Sequence, residues 1–354
     1  MRQGKSLLCS FVLLGLAGAT AFVNNTKAQK PATAPSASGY HLLKKIEVGG
    51  EGGWDYLIVD GAARRLYVSR GTRVMVFDAD TGASVGEIPD TPGVHGVAIA
   101  DDLGRGFTSN GRDGSVTIFE LKTLKPISKV KVGKNPDCII YDPATHRVFA
   151  FNRGSDDVSA IEAKTGEVAA PIALGGHPEF ATADGKGMVF VNLDNKSEVV
   201  ALDSRKLEVK PHWPVAPAED CSGMAIDRKH MRLFSVCGNK KMAVMDANTG
   251  KVVADLPIGS GPDAAGFDPE TSLAFSSNGE GTLTVVHEDS PDKYTVVANV
   301  PTQRGARTMA LDPKTHNVFL ATAQYGPPPA ATPERPNPRP AMLPNSFVIL
   351  VFGK

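Results

Sequence analysis

The sequence predicts an all-β, seven-bladed β-propeller with four-stranded blades, and three observations lead to this fold. A pattern of apolar stretches repeats every 41 to 44 residues, each unit holds four short stretches separated by turn residues, and no long helical periodicity follows the N-terminal segment. A period near 42 residues with four strands per unit is typical of propeller blades. An aspartate marks the end of the first stretch in each unit: Asp60, Asp101, Asp142, Asp184, Asp227, Asp268 and Asp312.

Within a unit, the turn residues separate the four strands in order. An Asp-Pro turn such as Asp142-Pro143 follows the first strand, because Asp suits the first turn position and Pro presets φ at the second. The second and third strands read "RVFAFN" and "VSAIE" in the third unit. A Thr-Gly turn such as Thr165-Gly166 then leads to a fourth strand ending in "IALG". This order predicts an antiparallel meander in each blade.

The ring is expected to close through an N-terminal strand. The seventh unit ends at Lys354, directly after its third strand, and lacks a fourth. The stretch "HLLKKIEVGG" (residues 41–50) has the fourth-strand pattern and precedes the first unit. We therefore expect it to complete the last blade, which removes the exposed edges of an open sheet.

The N-terminus is predicted to be an export signal. Arg2 and Lys5 precede an apolar run with small residues at candidate cleavage positions. We expect a signal peptide over residues 1–28, an Ala/Pro/Ser linker over 29–39, and a propeller over 40–354 with no membrane span in the mature form. This organisation predicts an exported protein, periplasmic or extracellular, most simply a monomer.

Composition narrows the classes of function. The 354 residues carry 38 basic and 38 acidic side chains, so no overall basic field points to nucleic acid. The chain contains no P-loop, no dinucleotide fingerprint and no C-x-x-C pair. These observations argue against nucleotide-dependent chemistry and a cysteine-bound cofactor.

The cysteines predict one bridge. Cys221 opens the first strand of the fifth unit and Cys237 ends the second, so hairpin pairing places them opposite each other. An exported protein can keep such a disulfide. We predict a Cys221–Cys237 bridge with Cys138 free; the alternative is a pair of small buried thiols.

Acidic residues recur where the first strands begin. The position five residues before the marker aspartate holds Asp55, Asp137, Glu179, Asp263 and Arg307 in five units. First strands line the central channel of a propeller, so four carboxylates are expected to converge at its mouth. Like charges at short range need compensation, which a divalent cation such as Ca²⁺ bound by Asp55, Asp137, Glu179 and Asp263, or Arg307, would supply. Capping of the turns into the strands is the alternative role.

Aromatic and imidazole side chains accompany this acidic ring. Trp54 precedes Asp55, and His95 and His177 lie at the starts of the second and fourth units. They are candidates for a ligand platform or for metal ligands. Packing at the turns and strand edges is the simpler role for them.

A Pro-rich insertion over residues 324–346 separates the second and third strands of the last unit. Loops at this position emerge on the same face as the acidic ring. Loops of this length are often functional, so we expect a lid or a docking segment; a plain surface loop is the alternative.

The second strands resemble the YVTN-repeat, or YncE-like, β-propellers, whose signature is aromatic-Val-Thr-Asn. The motif stands here as Phe107–Asn110, Phe149–Asn152 and Phe275–Asn278. Three blades depart from it, with Arg70, Cys237 and Thr322 at the Asn position. The resemblance covers about residues 40–354 and implies a binding or scaffold propeller, related in shape to propeller lactonases and to the propeller of nitrous oxide reductase. It carries over no catalytic residue.

The sequence thus predicts an exported module that binds a small molecule or a protein at the channel mouth. The alternative is a divalent-cation-dependent hydrolase of the lactonase type, in which a carboxylate-bound metal polarises a carbonyl beside an Asp or His base.

Overall fold

A computed structural model describes residues 38–332, 338 and 340–354. The predicted signal peptide, residues 29–37 of the linker, and Glu334, Arg335 and Arg339 of the Pro-rich insertion lie outside the described residues. Among the described residues, no helix combines the length and hydropathy needed to cross a bilayer.

The described chain forms seven four-stranded antiparallel sheets, which confirms the predicted fold. β1 spans His41–Glu47. Blade 1 holds β2 (Leu57–Asp60), β3 (Arg65–Arg70), β4 (Arg73–Asp78) and β5 (Ser84–Ile88). Blade 2 holds β6 (Val94–Ala100), β7 (Arg105–Asn110), β8 (Ser115–Glu120) and β9 (Pro126–Lys131). Blade 3 holds β10 (Pro136–Asp142), β11 (Arg147–Asn152), β12 (Asp157–Glu162) and β13 (Ile172–Ala173).

Blade 4 holds β14 (Pro178–Ala183), β15 (Met188–Leu193), β16 (Glu198–Asp203) and β17 (Glu208–Pro214). Blade 5 holds β18 (Cys221–Asp227), β19 (Arg232–Cys237), β20 (Lys241–Asp246) and β21 (Val252–Pro257). Blade 6 holds β22 (Pro262–Asp268), β23 (Leu273–Asn278), β24 (Thr282–Ser290) and β25 (Lys293–Pro301). Blade 7 holds β26 (Thr308–Leu311), β27 (Val318–Thr322) and β28 (Val348–Gly353). Single 3₁₀ turns at Asp101–Leu103 and Asp194–Lys196 are the helical elements of the described chain.

The last blade closes as predicted. Its strand order is β1-β28-β27-β26, and β1 pairs antiparallel with β28 from His41 opposite Gly353 to Glu47 opposite Val348. The buried Tyr40 adds a hydrogen bond from its hydroxyl to the carbonyl of His316 at 2.7 Å. The N-terminal strand therefore covers what would otherwise be the free edge of β28.

The recurring asparagine of the second strands has a structural role. Asn110 is fully buried, and its Nδ2 donates to Ser115 Oγ at 3.0 Å and to Thr117 Oγ1 at 2.9 Å on the next strand. Asn278 repeats the arrangement with two threonines. A buried amide needs such partners, so the motif specifies strand pairing rather than chemistry.

Candidate functional site

The first strands of neighbouring blades contact one another around the centre, and their N-terminal ends form a pocket of about 160 Å³ at one mouth of the channel. We call it the mouth pocket. Its lining consists of Asp55, Tyr56, Leu57, Asp137, Glu179, Phe180, Asp263, Ala264, Arg307, Thr308 and Met309. The structure thus brings together the four carboxylates and the arginine singled out in the sequence.

In blade 2 the residue at the start of the first strand is a glycine, and the residue before it contributes the side chain instead. Blade 2 has Gly96 there, and a Cβ on Gly96 would lie 2.9 Å from Ile139 Cγ2. His95 enters the gap instead: its Nδ1 lies 2.6 Å from Asp55 Oδ2 and 3.6 Å from Asp137 Oδ1. Ligand atoms of Asp55, His95 and Asp137 all lie within 4.8 Å of one another. Among the described residues, Glu179 and Asp263 do not join that compact trio.

Two arginines compensate the remaining acids. Arg153 places Nη1 2.9 Å from Glu179 Oε1 and Nη2 2.7 Å from Asp194 Oδ2. Arg307 Nε lies 3.3 Å from Asp263 Oδ2. Arg153 and Asp194 were not singled out in the sequence. Both follow the end of a second strand, and the turns between second and third strands emerge on this face. The position of Arg153 directly after the recurring Asn152 was therefore a usable signal.

Burial sets the protonation of the pocket. Burial, reinforced by Asp137, raises the pKa of Glu179 to about 8. Burial likewise raises the pKa of Asp263 to about 7, against the opposing charge of Arg307, and that of Asp137 to about 6, against His95. Burial alone would lower the pKa of His95, but the hydrogen bond to Asp55 and the negative charge of Asp137 raise it to about 9. Near neutral pH the pocket therefore holds protons that a cation could replace.

Aromatic rings and a hydroxyl complete the pocket. Tyr56 and Phe180 stack across the channel with ring centroids 4.9 Å apart. Burial and the nearby Asp137 raise the pKa of Tyr56 well above its usual value. Thr308 is 5% exposed, and its Oγ1 has no hydrogen-bond partner among the described residues. The pocket thus combines acids, π-faces and an unused hydroxyl.

Other predicted site residues lie outside this lining. Trp54 packs against Phe347 at 5.0 Å and Tyr325 at 6.4 Å between ring centroids, so it anchors the flanks of the Pro-rich insertion. His177 stays exposed at the rim, with Nε2 3.6 Å from Asp156 and Nδ1 3.7 Å from Asp194. Neither side chain reaches the converging carboxylates.

The structure also pairs two cysteines in blade 5. Cys221 and Cys237 are register partners on β18 and β19, and their sulfurs are joined at 2.02 Å. Cys138 is buried and unpaired, beneath the mouth pocket on β10, where its Sγ accepts the backbone N–H of Ala181 at 3.3 Å.

Comparison with known proteins identifies the architecture. No family model matches the chain, and no curated protein matches it. Among solved structures, Kuenenia stuttgartiensis hydrazine synthase is similar with a TM-score of 0.68 and 18% identity, over 77% of this chain and 94% of that one. The RRP9 WD40 repeats are similar with a TM-score of 0.72 and 10% identity, over 91% of this chain and 99% of that one. U3-55K is similar with a TM-score of 0.70 and 10% identity, over 90% of this chain and 99% of that one. At these identities the likeness establishes the seven-bladed propeller fold alone.

Proposed function

We propose that this protein is an exported propeller that binds a small organic cation, bearing an ammonium or guanidinium group, in the mouth pocket. The observation that carries the proposal is the convergence of four carboxylates on a pocket whose lining includes a single arginine. A bound cation would let these acids ionise together, because it adds positive charge to that of His95, Arg153 and Arg307 in a pocket where burial disfavours carboxylates.

The lining favours an organic cation over a bare metal ion. Glu179 and Asp263 stand apart from the compact trio, whereas a hard ion needs its oxygen ligands within one coordination sphere. The stacked rings of Tyr56 and Phe180 offer π-faces to which alkylammonium groups are attracted. Thr308 Oγ1 is free to accept an N–H from the ligand.

Export is supported by two features. The first is the charged and apolar N-terminal segment, and the second is the Cys221–Cys237 disulfide, which suits an oxidising compartment. Sequencing the N-terminus of the protein recovered outside the cytoplasm should find residues 1–28 removed. We also infer membership of the YVTN-repeat propellers, supported by the buried Phe–Asn strands of blades 2, 3 and 6.

Calorimetric titration with putrescine, agmatine and tetramethylammonium tests the binding function. Replacing Asp263→Asn or Glu179→Gln should weaken binding by about 10-fold or more, since a hydrogen bond to a charged group is worth about 1.5–3 kcal/mol. Glu87→Gln is the matched control, because Glu87 lies outside the pocket lining and is 56% exposed. Absence of binding by all three probes would refute the proposal.

A cation-dependent hydrolase is the second candidate, favoured by the Asp55–His95–Asp137 trio. A divalent ion there would polarise a lactone carbonyl, with a neighbouring carboxylate or imidazole as base. Metal analysis of the purified protein and lactone hydrolysis assays with added Ca²⁺ or Zn²⁺ discriminate the two functions. Stoichiometric metal together with turnover that Asp137→Asn abolishes would favour the hydrolase.

A further inference from the structure

A second cluster of metal-ligating side chains lies at the interface of blades 5 and 6. His230 lies in the turn between β18 and β19, and its Nδ1 is 2.7 Å from Asp227 Oδ2 and 3.1 Å from Glu288 Oε1. The Asp227 and Glu288 side chains are 2% and 3% exposed, and that of His230 is 31% exposed. The three ligand atoms lie within 4.8 Å of one another.

Glu288 breaks the repeat. In blades 1 to 5 the residue that follows the third strand is small or apolar and buried, and its N–H donates to a backbone carbonyl of the turn between the first and second strands; Ala163 donates to His146 and Ala247 to Met231. The third strand of blade 6 is longer, so the equivalent Glu288 lies within β24. Glu288 N–H donates to Ser272 in the same way. The equivalent residues in blades 1 to 5 are Ala79, Leu121, Ala163, Ser204 and Ala247. Blade 6 therefore buries a carboxylate where the fold needs none.

His230 breaks the repeat as well. Three sister turns carry Thr145, Thr271 and Thr315 at its position, each donating from Oγ1 to the marker aspartate at 2.9, 2.5 and 2.6 Å. A threonine is thus sufficient to cap the turn. The imidazole keeps the contact with Asp227 and in addition reaches Glu288 on the next blade.

The surrounding charges leave the cluster acidic. Arg232 is near, but its guanidinium already pairs with Asp246 at 2.9 Å and Asp292 at 2.8 Å. Burial, followed by the charge of Asp227, raises the pKa of Glu288. Two buried carboxylates beside one imidazole are electrostatically unfavourable unless a cation balances them.

We propose that Asp227, His230 and Glu288 bind a first-row divalent transition-metal ion such as Zn²⁺, which fastens blade 5 to blade 6. Imidazole nitrogen and carboxylate oxygen are ordinary ligands of such ions. Metal–ligand distances of about 2.0–2.2 Å place tetrahedral ligands about 3.3 Å apart. His230 Nδ1 therefore needs to move away from Asp227 Oδ2, now at 2.7 Å, by about 0.6 Å, and from Glu288 Oε1, now at 3.1 Å, by about 0.2 Å. His230 contacts Oε1 of Glu288, which leaves Oε2 of the same carboxylate available to the ion. Partial exposure of His230 gives the ion a path from solvent.

Zn²⁺ titration against a chromophoric chelator tests this site in a His95→Asn background, which removes the imidazole of the mouth trio. Glu288→Ala and His230→Thr restore the residues that sister blades use, so both variants are expected to fold. We expect one equivalent of Zn²⁺ in the parent and affinity at least about 100-fold weaker in either variant. His146→Thr, on the same face beside Asp102, is the control and should bind like the parent.

X-ray absorption of the Zn²⁺-loaded parent gives a readout that does not depend on folding of the variants. One imidazole nitrogen with oxygen ligands is expected; two imidazoles or a sulfur ligand would overturn the assignment. Failure of the parent to bind Zn²⁺, Co²⁺ or Ni²⁺, or full affinity in both variants, would also overturn it. With His95 restored, Glu288→Ala and His230→Thr should leave organic-cation binding at the mouth pocket unchanged, because both residues lie outside its lining, so the two proposals fail separately.

Discussion

Arg64 of the first blade holds Asp312 of the last blade in a bidentate ion pair, with Nη1–Oδ1 at 2.9 Å and Nη2–Oδ2 at 2.7 Å. The Asp312 side chain is fully buried and also accepts hydrogen bonds from Lys314 N and Thr315 Oγ1. Both residues lie in turns between first and second strands, on the face opposite the mouth pocket. The pair therefore connects blade 1 to blade 7, where the ring closes. It therefore couples the two ends of the propeller independently of β1.

Replacing Arg64→Ala should lower the free energy of unfolding by about 3 kcal/mol, because it leaves a buried carboxylate without its cation. Burial raises the pKa of Asp312, but hydrogen bonds from Arg64 and Thr315 outweigh this and lower it overall. A depressed folded-state pKa contributes stability above the unfolded pKa that is lost as pH falls through the folded value. Urea titrations between pH 3 and 7 should therefore show a weaker acid dependence in the variant.

The control for this experiment is Arg73→Ala. Arg73 Nε lies 3.3 Å from Glu87 in a partly exposed pair, which is worth about 0–1 kcal/mol. Equal losses in the two variants would show that the Arg64–Asp312 pair does not stabilise ring closure.

A chain that begins at Val48 should lose cooperative folding relative to one that begins at Ser38. Without β1, the six register pairs to β28 vanish and a hydrophobic strand edge is exposed. Calorimetry and size-exclusion chromatography should show a lower Tm and self-association. The same Tm in both chains would mean that the strand is dispensable.

Thiol titration of the denatured, unreduced mature protein should find one free thiol, that of Cys138. Cys221→Ala/Cys237→Ala should reduce stability by about 3 kcal/mol, since the bridge closes a loop across 16 positions. Cys138→Ala reports the cost of losing a buried thiol alone. Three thiols in the wild type would refute the bridge.

Glu179→Gln should flatten the loss of stability at alkaline pH. The folded-state pKa of Glu179, about 8, lies above its unfolded value. A raised folded-state pKa contributes stability that is complete below the unfolded pKa and is lost as pH rises through about 8. The wild-type Tm should therefore fall between pH 6 and 9 more than that of the variant, whose amide does not ionise. Parallel curves for the two proteins would contradict a buried, proton-holding Glu179, and Glu87→Gln should follow the wild type.

The repeat in the sequence determines the number of blades, the strand that closes the ring and the positions that line the pocket. The marker aspartates predict seven units, because six of them cap the same turn through the carboxylate, as Asp142 does toward Ala144 N at 3.1 Å, and the seventh, Asp101, begins a 3₁₀ turn at the same position. The missing fourth strand predicts closure by β1, since backbone pairing is set by strand order. The strand-start position predicts that Asp55, Asp137, Glu179, Asp263 and Arg307 share one pocket.

The partners of individual side chains were decided only by the tertiary structure. Arg153 reaches Glu179 from a neighbouring blade, His95 turns toward Asp55, and Trp54 turns away to pack on Phe347. The meeting of His230 with Glu288 likewise crosses a blade interface. A repeat fixes where each strand begins, because hydrogen bonding and apolar burial recur in every blade. It does not fix which charged side chains touch, because that depends on blade twist, turn geometry and rotamer, and on burial that the local sequence does not record.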